Sequence, residues 1–171
     1  MTTAHVSGLN PVFRTAEPSD LDAVCELYRD VTTWLHDVKH ITHQWPRGIP
    51  EEEARQMIQS GATYLALVGQ EAAGVRRLTT SGGTVWPGHG GEALYVHSLA
   101  VHRRYAGLGL GRAILDWAAD QGRTRSKRFL RLDCMLENSG LKEYCVSAGF
   151  RFLGRHSQHH CYALFEKEIG E

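Results

Sequence analysis

The order of apolar runs along this chain predicts a mixed α/β fold, and three observations carry that reading. Short aliphatic runs of strand length stand at residues 63–68, 93–101 and 129–136. Other stretches repeat at helical spacing, as in Leu21, Val24, Cys25, Tyr28 and Val31, and again in Leu110, Ile114, Trp117, Ala118 and Gln121. The run at 93–101 passes through closely spaced glycines into the second of those stripes and then into the run at 129–136, a strand–helix–strand crossover.

Taken in order, residues 1–10 read as a flexible start and 12–16 as a short strand. Pro18 suits a first helical position, and Ser19, Asp20 and Asp22 put oxygens near the positive end of the helix that follows. Residues 32–50 hold Trp34, His36, His40, His43 and Trp45 with two prolines, and read as a loop or a broken helix. Pro50 and three glutamates open a second helix that reaches about Gln59 and is stopped by Gly61. Thr63–Val68 is a strand, Gly69-Gln70-Glu71 a turn, and 74–80 the returning strand. Residues 81–91, with five glycines and one proline, form a connector. The stripe from Leu110 is closed by Gly122, and Asn138 caps a last helix carrying Leu141, Tyr144, Cys145 and Ala148, with Gly149 at its stop. Residues 150–153 and 161–166 close the chain as two strands. No repeat or linker interrupts this order, so residues 1–171 read as one domain with its core over about 12–166.

Composition narrows the function. Lys plus Arg and Asp plus Glu each number 19, so no global basic field drives binding to nucleic acid or to a membrane surface. No apolar run nears the roughly 20 residues that span a bilayer, and the first residues, MTTAHVSGLN, lack the pattern of a secretory signal. The four cysteines form no CxxC pair and read as reduced thiols of a cytoplasmic protein. His36 and His40 have the spacing of a zinc pair but no confident carboxylate partner, so no metal is expected.

With no global field, any anion site must be local, and one segment qualifies. Leu99-Ala100-Val101 leads through His102, Arg103, Arg104, Tyr105 and Ala106 into Gly107-Leu108-Gly109-Leu110-Gly111-Arg112. Glycine lets the backbone turn tightly and brings amides close to a ligand, and the helix start adds unpaired N–H groups and a positive dipole end. The lesser reading is that the glycines only ease a strand–helix turn. A Walker A loop is excluded because Gly111 is followed by Arg-Ala rather than Lys-Ser/Thr. A dinucleotide fingerprint is excluded by the G-x-G-x-G spacing late in the chain.

The segment LAVHRRYAGLGLGRAILDWA resembles motif A of the GNAT acyltransferases: an Arg or Gln, two variable residues, then Gly-x-Gly/Ala, behind an L-x-V strand. Gly109 and Gly111 take the glycine positions, while Ala106 falls where the family has Arg or Gln; shifted by two residues, the same pattern falls on Arg104, Gly107 and Gly109. Downstream, NSGLKEYCVSAGF over 138–150 is similar to the family segment N-x-x-(A/L)-x-x-(F/Y)-Y-x-x-x-G-F. The resemblance implies a mixed, mostly antiparallel central sheet of about six to seven strands flanked by about four helices. It implies acetyl-CoA as co-substrate, its pantetheine arm lying between two splayed strands, 94–101 and 129–136. The arm would pair with backbone at Leu99, Ala100 and Val101, and the pyrophosphate would rest on amides from Ala106, Gly107, Leu108, Gly109, Leu110, Gly111 and Arg112. Asn138 would touch the arm near the thioester. The run Arg123, Arg125, Lys127, Arg128 would be a solvated helix end or, on the sharper reading, a contact for the 3′-phosphate.

The implied reaction is attack of an amine on the thioester, which needs a route for the ammonium proton and a proton for the departing thiolate. His97, on the central strand, suits the first role, with a structural histidine as the plainer reading and Glu92 as a weaker candidate. For the second, the family uses a Tyr at a position held here by Cys145, with Tyr144 one residue before it. Tyr144 is expected to pack partly into the core and Cys145 to face the thioester. Trp34 and Trp45 fall where the family builds its acceptor wall. A small-molecule amine acceptor is therefore expected, acted on by a monomer or homodimer. The alternatives are acetylation of a protein or peptide, or a non-catalytic acetyl-CoA-binding module, which the replacement of Tyr by Cys145 motivates.

Overall fold

The periodicities translate into seven strands and four helices among the described residues of a computed structural model, 8–41, 47–88, 91–157 and 160–170. In chain order these are β1 (Val12–Thr15), α1 (Leu21–Lys39), α2 (Glu51–Gln59), β2 (Thr63–Val68), β3 (Glu71–Thr79), β4 (Ala93–Val101), α3 (Leu110–Thr124), β5 (Phe129–Met135), α4 (Ser139–Ser147), β6 (Arg151–Ser157) and β7 (Cys161–Glu168). The strands form one sheet in the order β1-β2-β3-β4-β5-β7-β6. β4 and β5 run parallel, joined by the α3 crossover that a parallel return requires, and the pairs β1/β2, β2/β3, β5/β7 and β6/β7 are antiparallel. This is the mixed, mostly antiparallel sheet with four helices that the resemblance implied. No helix among the described residues is long and apolar enough to cross a membrane. Most of the expected flexible start, and His43 and Trp45, lie outside the described residues.

The structure divides into two compact units, one of Met1–Arg77 with Ser98–Ile114, the other of Leu78–His97 with Leu115–Glu171. In the first unit, Val24, Leu27 and Tyr28 of α1 and Ala54, Met57 and Ile58 of α2 bury against Leu65, Val75 and Ala100 of the sheet. Residues 32–39, read from sequence as a loop or broken helix, instead continue α1. No Pro or Gly lies between Leu21 and Lys39, and the helix stops only where His40 turns left-handed at φ 57°. Aromatic and histidine content does not break a helix; a missing N–H or a glycine does.

Tyr28 does more than fill the core. Its hydroxyl donates to the carbonyl of Ser98 at 2.7 Å, and Ser98 holds φ 52°, a left-handed conformation rare outside glycine. Burial pushes the Tyr28 phenol well above its ordinary pKa, so it remains a donor. Such a conformation costs about 1–2 kcal/mol in an L-residue; the buried hydrogen bond offsets part of that at the point where β4 turns.

In the second unit the sheet has two unlike faces. Tyr95 and His97 of β4 share one face with Arg131 and Asp133 of β5 and Tyr162, Leu164 and Glu166 of β7, as their register and the two-residue period require. Trp86, from the connector, is buried against this face beside Ala93, Tyr95 and Leu164. Arg131 crosses it: Nε donates to Glu166 Oε2 at 2.7 Å, Nη1 to the Tyr95 hydroxyl at 3.1 Å and Nη2 to Glu92 Oε1 at 3.2 Å. The connector read as a plain Gly-rich loop thus supplies a core residue, held after a short 3-10 turn at Gly83–Val85.

Replacing Tyr28 by Phe leaves the Ser98 carbonyl without its donor. This is expected to cost about 1–3 kcal/mol of stability, the penalty of an unsatisfied buried acceptor, as read by urea unfolding. Amide exchange should accelerate around residues 98–101 more than in α2; an equal effect on both would mean that Tyr28 acts only as bulk.

Candidate active site

The segment expected to cradle an anion lies in the first unit. After β4, a 3-10 turn at Arg103–Tyr105 leads to Gly107 at φ 76° and Gly109 at φ 83°, and α3 begins at Leu110. The Ala113 amide, donating to Gly109 O at 3.1 Å, makes an i→i−4 bond at the start of α3, so the amides of Leu110 and Gly111 precede the helical ladder. A side chain at Gly109 would force a left-handed backbone that only glycine takes without strain. The turn is braced from two sides. Asp30 of α1 accepts the Arg103 amide at 2.6 Å, and Glu71 of β3 accepts the Tyr105 hydroxyl at 2.8 Å and pairs with Arg104 at 3.0 Å. The His102 amide donates to Ala73 O at 2.9 Å. Successive amides with a helix dipole behind them fit a diphosphate.

Trp34, expected in an acceptor wall, sits on α1 with the Arg103 guanidinium 3.7 Å from its ring centroid. The two residues, with Arg29 and Asp30, border a cleft of about 550 Å³. Leu99 and Val101 are half-buried and Ala100 between them is buried, the alternation of a strand. Arg112 is exposed on the first turn of α3. Ala106 ends the 3-10 turn, its amide bonded to Arg103 O at 3.0 Å.

In the second unit, β4 and β5 are registered in parallel only from Ala93↔Phe129 to Val96↔Leu132. The next residue on each strand is His97 and Asp133. His97 stacks on Tyr95 with centroids 6.3 Å apart and planes 12° off parallel, and its Nε2 lies 3.4 Å from Ser81 O. A proton on Nε2 would place the lone pair on Nδ1. Asp133 accepts the Trp86 indole N–H on Oδ1 at 3.1 Å. Burial raises its carboxyl pKa, against the pull of the Trp86 hydrogen bond and of His97. Tyr162, on the same face, is raised by burial and then by the Asp133 charge. Sequence reasoning missed both Asp133 and Trp86. The signal available was an acid in the middle of an aliphatic strand, FLRLDCM, where a charge needs a reason.

The other face of the same unit carries the thiols. Cys145 is buried on α4 and hydrogen-bonded to Cys134 of β5; that partner first, then burial, raise its pKa far above a free thiol. Tyr144 is half-buried. Asn138 caps α4, its Oδ1 accepting the Leu141 amide at 3.1 Å. Glu92 is engaged by Arg131 at 3.2 Å. Arg123 donates to Ile169 O at 2.8 Å and Arg128 pairs with Glu168 at 3.1 Å, so these two members of the basic run tie down the chain end.

A glycine turn between a central strand and its crossover helix, in a seven-stranded mixed sheet, is the arrangement the GNAT resemblance implied. The comparisons agree. The model of the Acetyltransferase (GNAT) family matches residues 21–150. The "Uncharacterized N-acetyltransferase YesJ" of Bacillus subtilis (strain 168) is 31% identical over 158 residues, covering 88% of this chain and 86% of that protein. A GNAT-family acetyltransferase structure from Listeria monocytogenes 4b F2365 superposes with a TM-score of 0.80 at 25% identity, over 98% of this chain and 100% of that one. The fold is also that of yncA from Salmonella typhimurium, solved with its cofactor acetyl-CoA, at a TM-score of 0.70 and 18% identity over 95% of each chain. The chain belongs to the GNAT acetyltransferase family and is an N-acetyltransferase acting with acetyl-CoA.

Two outcomes follow. CoA at about 100 times its Kd should stabilise the wild type by about 2.7 kcal/mol, seen as a raised Tm, and Gly109→Glu should abolish that shift; a shift retained in the variant would remove the cradle. The second concerns Asp133. A carboxyl whose folded pKa lies above its unfolded one binds more protons when native, so its contribution to stability falls as pH rises through that interval. Asp133→Asn, which keeps an acceptor for Trp86, should therefore melt above wild type at neutral pH, and the gap should close below the ordinary carboxylate range. Melting curves across pH check this; a variant less stable at neutral pH would show the charge to be stabilising.

Proposed function

We propose that the acceptor is the primary amine of a small molecule and that the acetyl group moves by direct attack of that amine on the thioester. The observation that supports this best is the placement of His97 and Asp133 as the first residues beyond the last registered β4–β5 pair. Bound acetyl-CoA supplies an acyl group activated toward amines. The backbone at Leu99, Ala100 and Val101 holds the pantetheine arm, and the amides from Ala106 to Arg112 hold the pyrophosphate. Asn138, which caps α4, is assigned to the arm on its motif position alone. Trp34 contributes to ligand contact from α1; Trp45 is assigned to the acceptor wall on its sequence position alone.

His97 takes the proton that the ammonium must lose before it can attack, with Nδ1 as the accepting atom when Nε2–H faces Ser81 O. The proton for the departing thiolate comes from α4. Cys145 and Tyr144 are the candidate donors by motif position; the Cys134 hydrogen bond and burial raise the Cys145 pKa and make it the weaker acid, which favours the Tyr144 phenol. The four free cysteines support a reducing, cytoplasmic setting.

His97→Ala is expected to lower kcat/KM by about 10²–10⁴-fold, the range of general acid–base groups, with CoA affinity nearly constant. Thiol release from acetyl-CoA with a panel of primary amines measures the first, and a CoA melting shift the second. A loss below about threefold returns His97 to a structural role.

A further inference from the structure

We infer that Asp133 is the residue that selects acceptors arriving as ammonium ions: its carboxylate holds the cationic nitrogen next to His97, which takes the proton. The inference rests on the acetyl-transfer reading above and adds to it a group that composition and motif did not reveal.

Three observations carry it. The first is placement. The parallel ladder ends at Val96↔Leu132, and the next residues on the two strands, His97 and Asp133, lie on one face with Tyr162. The second is hydrogen bonding. Trp86 Nε1–H donates to Oδ1 at 3.1 Å and holds the carboxylate plane; among the described residues no hydrogen bond to Oδ2 is found. One oxygen is thus positioned and the other is left to a ligand. The third is contrast with the neighbouring charge. Arg131, two residues earlier on the same face, is neutralised by Glu166 at 2.7 Å and Glu92 at 3.2 Å. It therefore does not serve as the partner of Asp133, whose recorded counter-charge is His97, a group that is itself neutral when it acts as base.

A half-buried carboxylate with an indole donor behind it and aromatic neighbours attracts a cation of ammonium size. Its desolvation, visible as a raised pKa, is the cost of holding a charge here, and a bound ammonium offsets it. The proton balance closes. R–NH₃⁺ is held at Asp133 Oδ2, one N–H proton passes to His97, and the nitrogen lone pair so released attacks the acetyl carbon. The C–S bond breaks as the adduct collapses, and the second N–H proton lost in forming the amide balances the one taken up by the departing CoA thiolate. Asp133 keeps its charge throughout, so it acts on binding, and His97 acts on turnover.

The test compares wild type with Asp133→Asn and Trp86→Phe, using ethylamine, putrescine and tyramine as alkylammonium probes and aniline as a probe that is neutral at pH 7. Asp133→Asn should raise KM for the alkylammonium probes by about tenfold to a hundredfold, the worth of a hydrogen bond to a charged group. It should leave aniline turnover and the CoA melting shift within about twofold. Trp86→Phe keeps the charge and loses its positioning, so it should show a smaller rise in KM. An equal loss on aniline, or an alkylammonium KM changed less than about threefold, overturns the assignment. If no probe is acetylated, the Asp133 carboxyl carbon resonance of the CoA-saturated protein, assigned by its loss in Asp133→Asn, is titrated with putrescine. Movement supports the site and an unmoved resonance overturns it. A wild type that shows no CoA shift removes the acetyl-CoA reading, and this inference with it.

Discussion

The hydrogen bond from Tyr28 to the Ser98 carbonyl is the constraint on which the turn out of β4 depends. β4 must be a regular strand as far as Val96, where it pairs with β5, and must then lead into a turn that aims amides outward. A left-handed residue accomplishes the change of course, and α1 reaches across to hold it. The same helix then supplies Asp30 to the Arg103 amide and Trp34 beneath the Arg103 guanidinium. These contacts explain why α1 continues to Lys39 when its apolar stripe weakens after Thr32: its last two turns serve the cradle rather than the core.

A different balance governs the face that carries Asp133. Arg131 and Glu166 are both buried, an arrangement whose desolvation cost is repaid only when every donor and acceptor is matched. Here the guanidinium reaches Glu166, Glu92 and Tyr95, and Arg151 satisfies the second Glu166 oxygen at 3.2 Å. That saturated network gives Trp86 and Tyr95 a rigid backing, with the Arg131 guanidinium 5.6 Å from the Trp86 ring centroid. Asp133 stands beside this network without sharing in it, and so its charge stays available.

Much of this was legible in the chain, for physical reasons that differ by element. Strand runs such as Thr63–Val68 and Ala93–Val101 are continuous and apolar, and their bounds were read to the residue. The turn before α3 was legible because glycine spacing reports directly on backbone geometry. The extent of α1 was not, since its second half is polar and aromatic and is held by contacts of Asp30 and Trp34 with residue 103, far away in sequence. β6 and β7 run longer than expected, to Ser157 and from Cys161 to Glu168, because pairing in a hairpin extends strands past their apolar centres. Trp86 hid in a glycine-rich connector, where composition argues for solvent. Asp133 hid because a lone acid in a strand acquires meaning only when its neighbours across the sheet are known.

The saturation of Arg131 also bears on how such a protein can diverge. Arg131 and Glu166 are tied to each other so tightly that neither can change alone without stranding a buried charge, and lineages carrying this sheet face must keep or replace them jointly. Asp133, His97 and Tyr162 are not locked into such a charge pair, although Asp133 accepts the Trp86 indole N–H and His97 lies against Ser81 O. On the acceptor reading proposed above, single substitutions at these three positions would shift acceptor preference, while the strands beneath them stay under joint constraint.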